Sequence, residues 1–297
     1  MDVVTGAFSF TGRYIAARLL DAGREVRTVT RRQESESPFG DRVRSFPPDP
    51  DGIAAALDGA ETLYNTYWIR FPNASTTFED AVRNSVALFD AARAAGVQRV
   101  VQLSVTNAAA GSPYAYFRGK AAVEEALAGS GLSHAIVRPT LVFGDGEVLL
   151  NNVAWLLRRV PVFVVPRAPC RIRPIAAEDL AGLCVEAGRD DQNVAFDAAG
   201  PDELGFEELA RLVRSAVGSR TVVARGGGRP VLALTRALGL VTRETLLTAE
   251  ELGALADDLL TSDEPPRGAS RVEDWVVAGA QALGRQLATG EHRPWPK

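Results

Sequence analysis

A phenol and an ammonium stand four residues apart in Tyr116-Phe117-Arg118-Gly119-Lys120. On a helix that spacing puts both on one face. Proton transfer to or from a carbonyl near neutral pH needs a phenol whose pKa has been lowered, and a nearby lysine does this by stabilising the phenolate. Ser104 ends the apolar segment before that helix, at the edge where ligands gather in open α/β sheets. Its hydroxyl would hold the substrate oxygen, with Thr106 as a substitute. The only histidines are His134 and His292, which excludes most zinc sites and argues against a Ser-His-Asp triad. His134 opens an apolar strand and reads as structural, and His292 lies in a Pro-rich tail and reads as solvated. No metal site is expected, so acid–base chemistry falls to tyrosine, lysine or carboxylates.

A second constellation lies at the start of the chain, where Val3-Val4-Thr5 runs through Gly6-Ala7-Phe8-Ser9-Phe10-Thr11-Gly12 into a helical segment. A strand–turn–helix of this kind uses glycine for a tight turn, for close approach of a pyrophosphate, and for helix–strand packing. Gly6 and Gly12 stand at the first and third of these positions. Ser9 takes the middle one, adding a Cβ where phosphates approach together with a hydroxyl able to donate to a phosphate oxygen. The helix N-terminus adds N–H donors and a favourable dipole. Residues 6 and 8–12 are therefore the expected pyrophosphate cradle.

The second strand ends at Thr30-Arg31-Arg32. An acidic residue there would take the ribose hydroxyls of NAD, and none is present. Arginine suits a 2′-phosphate instead. NADP(H) is therefore expected over NAD(H), held by Arg31 and Arg32.

The elements that must position these residues alternate strand and helix with short connections, the pattern of a parallel sheet covered on both faces. Strands are expected at residues 2–5, 25–30, 62–66, 99–104 and 133–137, with helices over 13–22, 53–57, 77–95 and 116–128. Beyond about residue 145 the alternation fades. Helices are expected near 151–159, 177–188, 206–217 and across 231–260, with strands at 162–165 and 193–197. Ser270 and Glu273 have capping-box spacing before a last helix through Trp275. The expected fold is α/β, a Rossmann doubly wound parallel sheet over residues 1–145. Residues 146–297 would form a smaller C-terminal substrate lobe, partly woven back onto the sheet. Trp68, Arg70, Phe71, Trp155 and Arg158 are candidate substrate contacts, an Arg–aromatic set able to grip an anionic or planar molecule.

A formal net charge of −4 leaves no basic surplus for general nucleic-acid binding. The run Val231–Val241, interrupted by Thr235 and Arg236, is too short to cross a bilayer. The N-terminus enters a strand with no signal segment, so a cytoplasmic location without membrane insertion is expected. Cys170 and Cys184 have no metal-motif spacing and make no disulfide framework.

Together these residues resemble the short-chain dehydrogenase/reductase superfamily, in its extended and atypical branch. The resemblance spans nearly the whole chain: Thr5-Gly6-Ala7 with Thr11-Gly12, Thr30-Arg31-Arg32, Asn84, Ser104, Tyr116 with Lys120, and Arg138-Pro139-Thr140. Arg173-Pro174-Ile175-Ala176-Ala177-Glu178-Asp179-Leu180 matches that branch's Pro-x-x-x-x-Asp segment. The chain is similar above all to NmrA-like, complex-I-subunit-like and nucleoside-diphosphate-sugar-epimerase-like NAD(P)-binding proteins. The resemblance implies Tyr116 as proton donor or acceptor, Lys120 holding the nicotinamide ribose, and Ser104 orienting a carbonyl. It further implies Asn65, Thr66 and Tyr67 along the cofactor, Pro139 and Thr140 near the nicotinamide, and Asp49 as a candidate adenine contact. The twelve positions from Ser104 to Tyr116 are fewer than extended sugar epimerases usually show. The expected function is an NADP(H)-dependent oxidoreductase acting on a small carbonyl or alcohol. Two alternatives stand beside it: a non-catalytic NAD(P)-binding sensor or assembly protein, and a redox-neutral epimerase or dehydratase.

Overall fold

The computed structural model describes residues 1–32, 36–72, 76–167, 170–227 and 248–288. The short apolar runs read from the sequence become strands β1 (Asp2–Thr5), β2 (Val26–Val29), β4 (Thr62–Asn65), β5 (Arg99–Leu103), β6 (Ser133–Pro139) and β11 (Val194–Ala198). With β3 (Val43–Phe46) they form a seven-stranded sheet in the order β11-β6-β5-β4-β1-β2-β3. Every neighbouring pair in it is parallel. Burial on both faces explains the unbroken apolar stretches such as Val3-Val4 and Val100-Val101, all at most 2% exposed. The strand order reverses between β1 and β4. In open α/β sheets the crevice outside the strand ends at such a reversal is where ligands bind. The fold is the Rossmann-like doubly wound sheet that the alternation predicts.

Helices α1 (Phe10–Asp21), α2 (Pro50–Leu57), α3 (Phe78–Ala94), α4 (Ala115–Ala128) and α6 (Ala177–Ala187) flank the sheet strands in the chain. The second begins three residues earlier than the sequence pattern suggests. Pro50 occupies its first turn, where a missing N–H costs nothing, and Asp49 caps it by accepting from the Gly52 N–H at 2.8 Å. Asp49, the candidate adenine contact, is thus engaged as a helix cap. A reciprocal capping box between Thr77 and Asp80 opens α3. His134 is buried, with Nδ1 2.9 Å from the Leu132 carbonyl, as a structural histidine would be.

The chain divides into two compact units. The first comprises Met1–Pro139 and Ala177–Ala198, and the second comprises Thr140–Ala176 and the described residues after Ala198. In the second unit α5 (Leu149–Leu157) and α7 (Phe206–Ala216) pack with three short strand pairs. These are β7 (Val142–Phe143) with β10 (Ile175–Ala176), β9 (Arg171–Ile172) with β12 (Leu204–Gly205), and β8 (Val162–Pro166) with β13 (Val222–Gly226). Phe143, Leu150, Leu157, Ile172 and Leu209 fill its core.

Arg158 organises this unit rather than standing free as a substrate contact. Its guanidinium donates to the carbonyls of Leu283 (2.9 Å), Val217 (3.2 Å) and Ala280 (2.8 Å). Val217 closes α7, and Ala280 follows the helix Val272–Ala278. A cation against carbonyls left over at helix ends is electrostatically favourable. Trp155 is covered by Arg159, whose guanidinium lies 4.6 Å from the ring centroid.

One sequence expectation is corrected here. The helix Val272–Ala278 takes Arg271 as N-cap with no side-chain cap, so the Ser270/Glu273 capping box does not open it. Arg271 instead pairs with Asp202 across 3.0 Å. Most of the helical region expected over 231–260, and the tail with His292, lie outside the described residues, which hold the helix Ala249–Ala256. Among the described residues no helix is long and apolar enough to cross a membrane.

Candidate active site

The turn after β1 carries the strain and the closeness expected of a phosphate cradle. Gly6 adopts φ +67°, a conformation costly for residues with a Cβ. At Gly12 a Cβ would lie 2.2 Å from the Gly6 carbonyl oxygen, far inside contact distance, so helix and turn approach only because it is glycine. Ser9 is the N-cap of α1, yet its side chain does not cap the helix. Its hydroxyl turns back and donates to the Gly6 carbonyl at 2.6 Å, beside the Ser9 N–H at 2.8 Å. The first turn of α1 holds no acidic residue and includes Arg13, so nothing there repels an anion. Phe8 is buried, Thr11 is half-buried, and Phe10 packs edge-on against Tyr14 with centroids 5.9 Å apart.

The end of β2 reaches back to this turn. Arg32 donates from Nη1 to the Phe8 carbonyl at 3.0 Å, and its N–H is held by the Thr30 hydroxyl at 3.1 Å. Arg31 lies close enough for its charge to act on the Tyr67 phenol. Burial pushes that phenol up, opposed by a hydrogen bond from Asn84 Nδ2 at 3.0 Å and by the Arg31 charge.

A row of buried polar side chains crosses the sheet at the strand ends. The Thr5 hydroxyl donates to Asn65 Oδ1 at 2.9 Å and accepts from the N–H groups of Thr66 and Tyr67. Asn65 Nδ2 donates to Gln102 Oε1 at 2.7 Å, and Gln102 Nε2 to the Leu103 carbonyl at 2.8 Å. Lys120 Nζ donates to that same carbonyl at 2.9 Å. The Thr66 hydroxyl closes the row by donating to the Thr5 carbonyl at 2.5 Å. Buried polar groups in such a chain satisfy one another and fix their mutual positions. Asn65, Thr66 and Tyr67 are thereby tied to the glycine turn at one end, and Lys120 is tied to β5 at the other.

Lys120 is fully buried. Loss of water pushes its ammonium down from the ordinary 10.5 to about 7, against the opposing pull of Glu124. Its Nζ sits 4.7 Å from the centroid of the Trp68 ring, a cation–π contact. Tyr116 meets the same indole edge-on, with centroids 6.0 Å apart, and also packs against Phe78 and Phe117. Trp68 therefore touches both members of the Tyr-x-x-x-Lys pair. It can do so because position 119 is glycine, where a Cβ would stand 2.9 Å from Cη2 of the indole. Ser104 is 4% exposed, and its Oγ is buried without a hydrogen-bond partner among the described residues, as is Trp68 Nε1. A buried hydroxyl lacking a partner costs stability, which marks it as a group that something else is meant to satisfy. Thr106, the proposed substitute, is already committed to Asp197 Oδ2 at 2.9 Å.

The remaining candidates fall as follows. Pro139 ends β6, and its carbonyl accepts from the Thr106 N–H at 3.0 Å. Thr140, in the second unit, is buried and donates its hydroxyl to the Arg173 carbonyl. Arg70 lies over Phe71, 5.6 Å from its centroid. Sequence reasoning missed Glu124 and Gln102. Glu124 continues the Tyr116–Lys120 face by one more turn, a spacing that was readable. Gln102 carries no sequence signal, since only strand pairing puts it beside Asn65.

Comparison with known proteins agrees with this geometry. Residues 6–152 match the profile of a family described as NAD(P)H-binding. Over 227 residues the chain is 28% identical to NADH dehydrogenase [ubiquinone] 1 alpha subcomplex subunit 9, mitochondrial, of Arabidopsis thaliana. That match takes in 71% of this chain and 56% of the relative, so it spans little more than half of that protein. The (4-alkanoyl-5-oxo-2,5-dihydrofuran-3-yl)methyl phosphate reductase of Streptomyces griseus subsp. griseus is 27% identical over 289 residues, covering 95% of this chain and 92% of the relative. Among solved structures, the Citrobacter sp. triphenylmethane reductase complexed with NADP(H) superimposes with TM-score 0.77. It is 17% identical, over 94% of this chain and 99% of that one, and it shows the shared fold. The family match and these relatives support the NAD(P)H-binding, atypical short-chain dehydrogenase/reductase resemblance read from the motifs.

Proposed function

We propose that this chain is an NADP(H)-dependent oxidoreductase acting on a small carbonyl or alcohol. The observation that carries the reading is the buried, unpartnered Ser104 hydroxyl, one residue beyond the carbonyl held by a fully buried lysine. The turn fits a dinucleotide on structural grounds, since Gly12 lets α1 start directly against the Gly6 turn, with no acidic residue in its first turn. Gly6, Gly12 and the α1 N-terminus would hold the pyrophosphate, and Asn65, Thr66 and Tyr67 would line the cofactor. Pro139 and Thr140 would lie near the nicotinamide. When bound, the nicotinamide supplies or takes the hydride.

The chain's own residues then handle the proton and the oxygen. In the reducing direction the Tyr116 phenol donates its proton to the carbonyl oxygen while the Ser104 hydroxyl hydrogen-bonds the same atom. Charge on Lys120, one helical turn away, stabilises the phenolate left behind. Replacing Tyr116 by Phe is expected to lower NADPH-dependent turnover about a hundredfold or more, measured across a panel of carbonyl compounds and quinones. Unchanged turnover in Tyr116→Phe would remove the tyrosine's role. Reversible NADPH binding with no oxidation by any compound would favour a non-catalytic sensor or assembly protein.

Cofactor choice rests on Arg31 and Arg32. A charge-assisted contact to a 2′-phosphate is worth about 1.5–3 kcal/mol. Arg31→Ala is therefore expected to weaken NADPH binding roughly tenfold or more while leaving NADH binding nearly unchanged. Calorimetry with both cofactors checks this. Equal losses for the two, or none for either, would overturn the preference. Arg32→Ala is the less clean variant, because Arg32 also braces the turn through Phe8.

A further inference from the structure

Lys120, Glu124 and Arg138 form a row of three charges inside the first unit. Lys120 and Glu124 lie one turn apart on α4, and both are buried, at 3% and 7% exposure. Arg138 reaches across from β6 and clamps the Glu124 carboxylate, with Nε 3.0 and 3.1 Å from its two oxygens and Nη2 2.5 Å from Oε2. An isolated buried charge is costly, and a carboxylate already engaged by a guanidinium has less to offer a second cation. The Lys120 ammonium itself donates to the Leu103 carbonyl, and Glu124, one turn along the same helix, is the carboxylate whose charge favours it. The elements packed around its ammonium supply no other charge among the described residues. The segment after β4 contributes the Trp68 face, and β5 contributes the Leu103 carbonyl with uncharged Gln102 and Ser104 beside it. Helix α3 packs on α4 through buried Phe78, Ala81 and Ser85, while its Asp80 and Arg83 pair with each other. On α4 itself Tyr116 shares the face of Lys120, while the charged Arg118 and Glu125 are exposed.

We propose that Glu124 and Arg138 are positioning residues for Lys120: Glu124 holds the lysine in its charged form, and Arg138 limits how strongly it does so. The inference rests on the reading of Lys120 as the site's lysine, and it makes the charge next to Tyr116 adjustable from β6. Removing either half of an ordinary structural ion pair would have one common effect. Here the two removals act in opposite directions. Glu124→Gln takes away the counter-charge and leaves two cations, which favours neutral Lys120. Arg138→Met removes a cation and frees the carboxylate, which favours charged Lys120.

The test follows the protonation of Lys120 without turnover. The Trp68 indole lies against the ammonium, so its fluorescence is expected to titrate with the lysine, and subtraction of the Trp68→Phe spectrum isolates that signal. NMR of the lysine Cε and Nζ resonances, assigned with Lys120→Met, gives an independent midpoint. Relative to wild type, the midpoint should fall by about one pH unit or more in Glu124→Gln and rise by a similar amount in Arg138→Met. The double variant should lie between Glu124→Gln and wild type, and it removes both buried charges should a single variant fail to fold. Midpoints that move together, or not at all, would overturn the proposal even in a protein whose Tyr116 proves catalytic. The expected ordering in a protein with no turnover would instead leave the lysine's control intact and remove the oxidoreductase reading.

Discussion

Lys120→Met should yield a protein that is more stable and much less active. The methionine side chain fills nearly the same volume, and it brings no charge into a site that water does not reach. Replacing buried charges by apolar groups of similar shape is often stabilising by about 1–4 kcal/mol. The pH dependence follows from the lowered pKa. An unfolded lysine near 10.5 binds its proton more tightly than the folded one at about 7, so between those values the unfolded chain carries more protons. From this group, stability therefore rises as pH increases through that window, and the burden is largest below about 7. The substitution should raise the melting temperature most near pH 6–7 and least above the ordinary lysine range. Turnover should fall about a hundredfold or more, because the phenolate loses its charged neighbour. Melting curves across pH, set beside NADPH oxidation rates, check both halves. A variant that melts lower at neutral pH would contradict the description of Lys120 as a buried, destabilising charge.

Gly12→Ala should have the largest effect on cofactor binding. A Cβ placed 2.2 Å from the Gly6 carbonyl oxygen and 2.8 Å from its carbon leaves no room without moving the turn. The atoms it would strike are backbone, so no side-chain rotation relieves them. Overpacking of this kind costs about 1–3 kcal/mol. Displacement of the turn from α1 should weaken NADPH binding about a hundredfold, since pyrophosphate recognition depends on N–H groups held in place. Gly23→Ala makes a useful control: it replaces a glycine at φ +73°, where a Cβ would meet only open space. It should lose about 1 kcal/mol of stability and keep cofactor affinity. Calorimetry and thermal melting on both variants separate turn displacement from general loss of stability, and equal cofactor losses in the two would refute the special role of residue 12.

How much of this was legible in the sequence varied with the physical origin of each feature. The β1–turn–α1 unit was readable because Gly6 and Gly12 are demanded by local geometry, and local geometry leaves its mark on nearby residues. Strand β3 was not, since Arg44 and Ser45 interrupt its apolar pattern; Arg44 instead lies over Phe46, 5.0 Å from the ring centroid. The two-residue strands of the second unit are shorter than any periodicity that could reveal them. Tyr116 and Lys120 were found by spacing along one helix. The partners that decide their surroundings, Trp68, Gln102 and Arg138, come from other strands and loops, and only the sheet order brings them near. Ser9 illustrates a finer limit: its type suggested a donor to phosphate, while its rotamer satisfies the turn's own carbonyl.

The row Thr5–Asn65–Gln102 has a consequence for how this sequence can drift. Asn65 and Gln102 lie thirty-seven positions apart and are each fully enclosed. Changing one to an apolar residue strands the other's amide inside the sheet, whereas changing both together can be nearly neutral. Descendants of such a chain should keep the two amides as a pair or abandon them as a pair. Thr5 is less free to follow, because its hydroxyl also carries the Thr66 and Tyr67 N–H groups. The two strands most central to the site thus share an inheritance that neither strand's own sequence records.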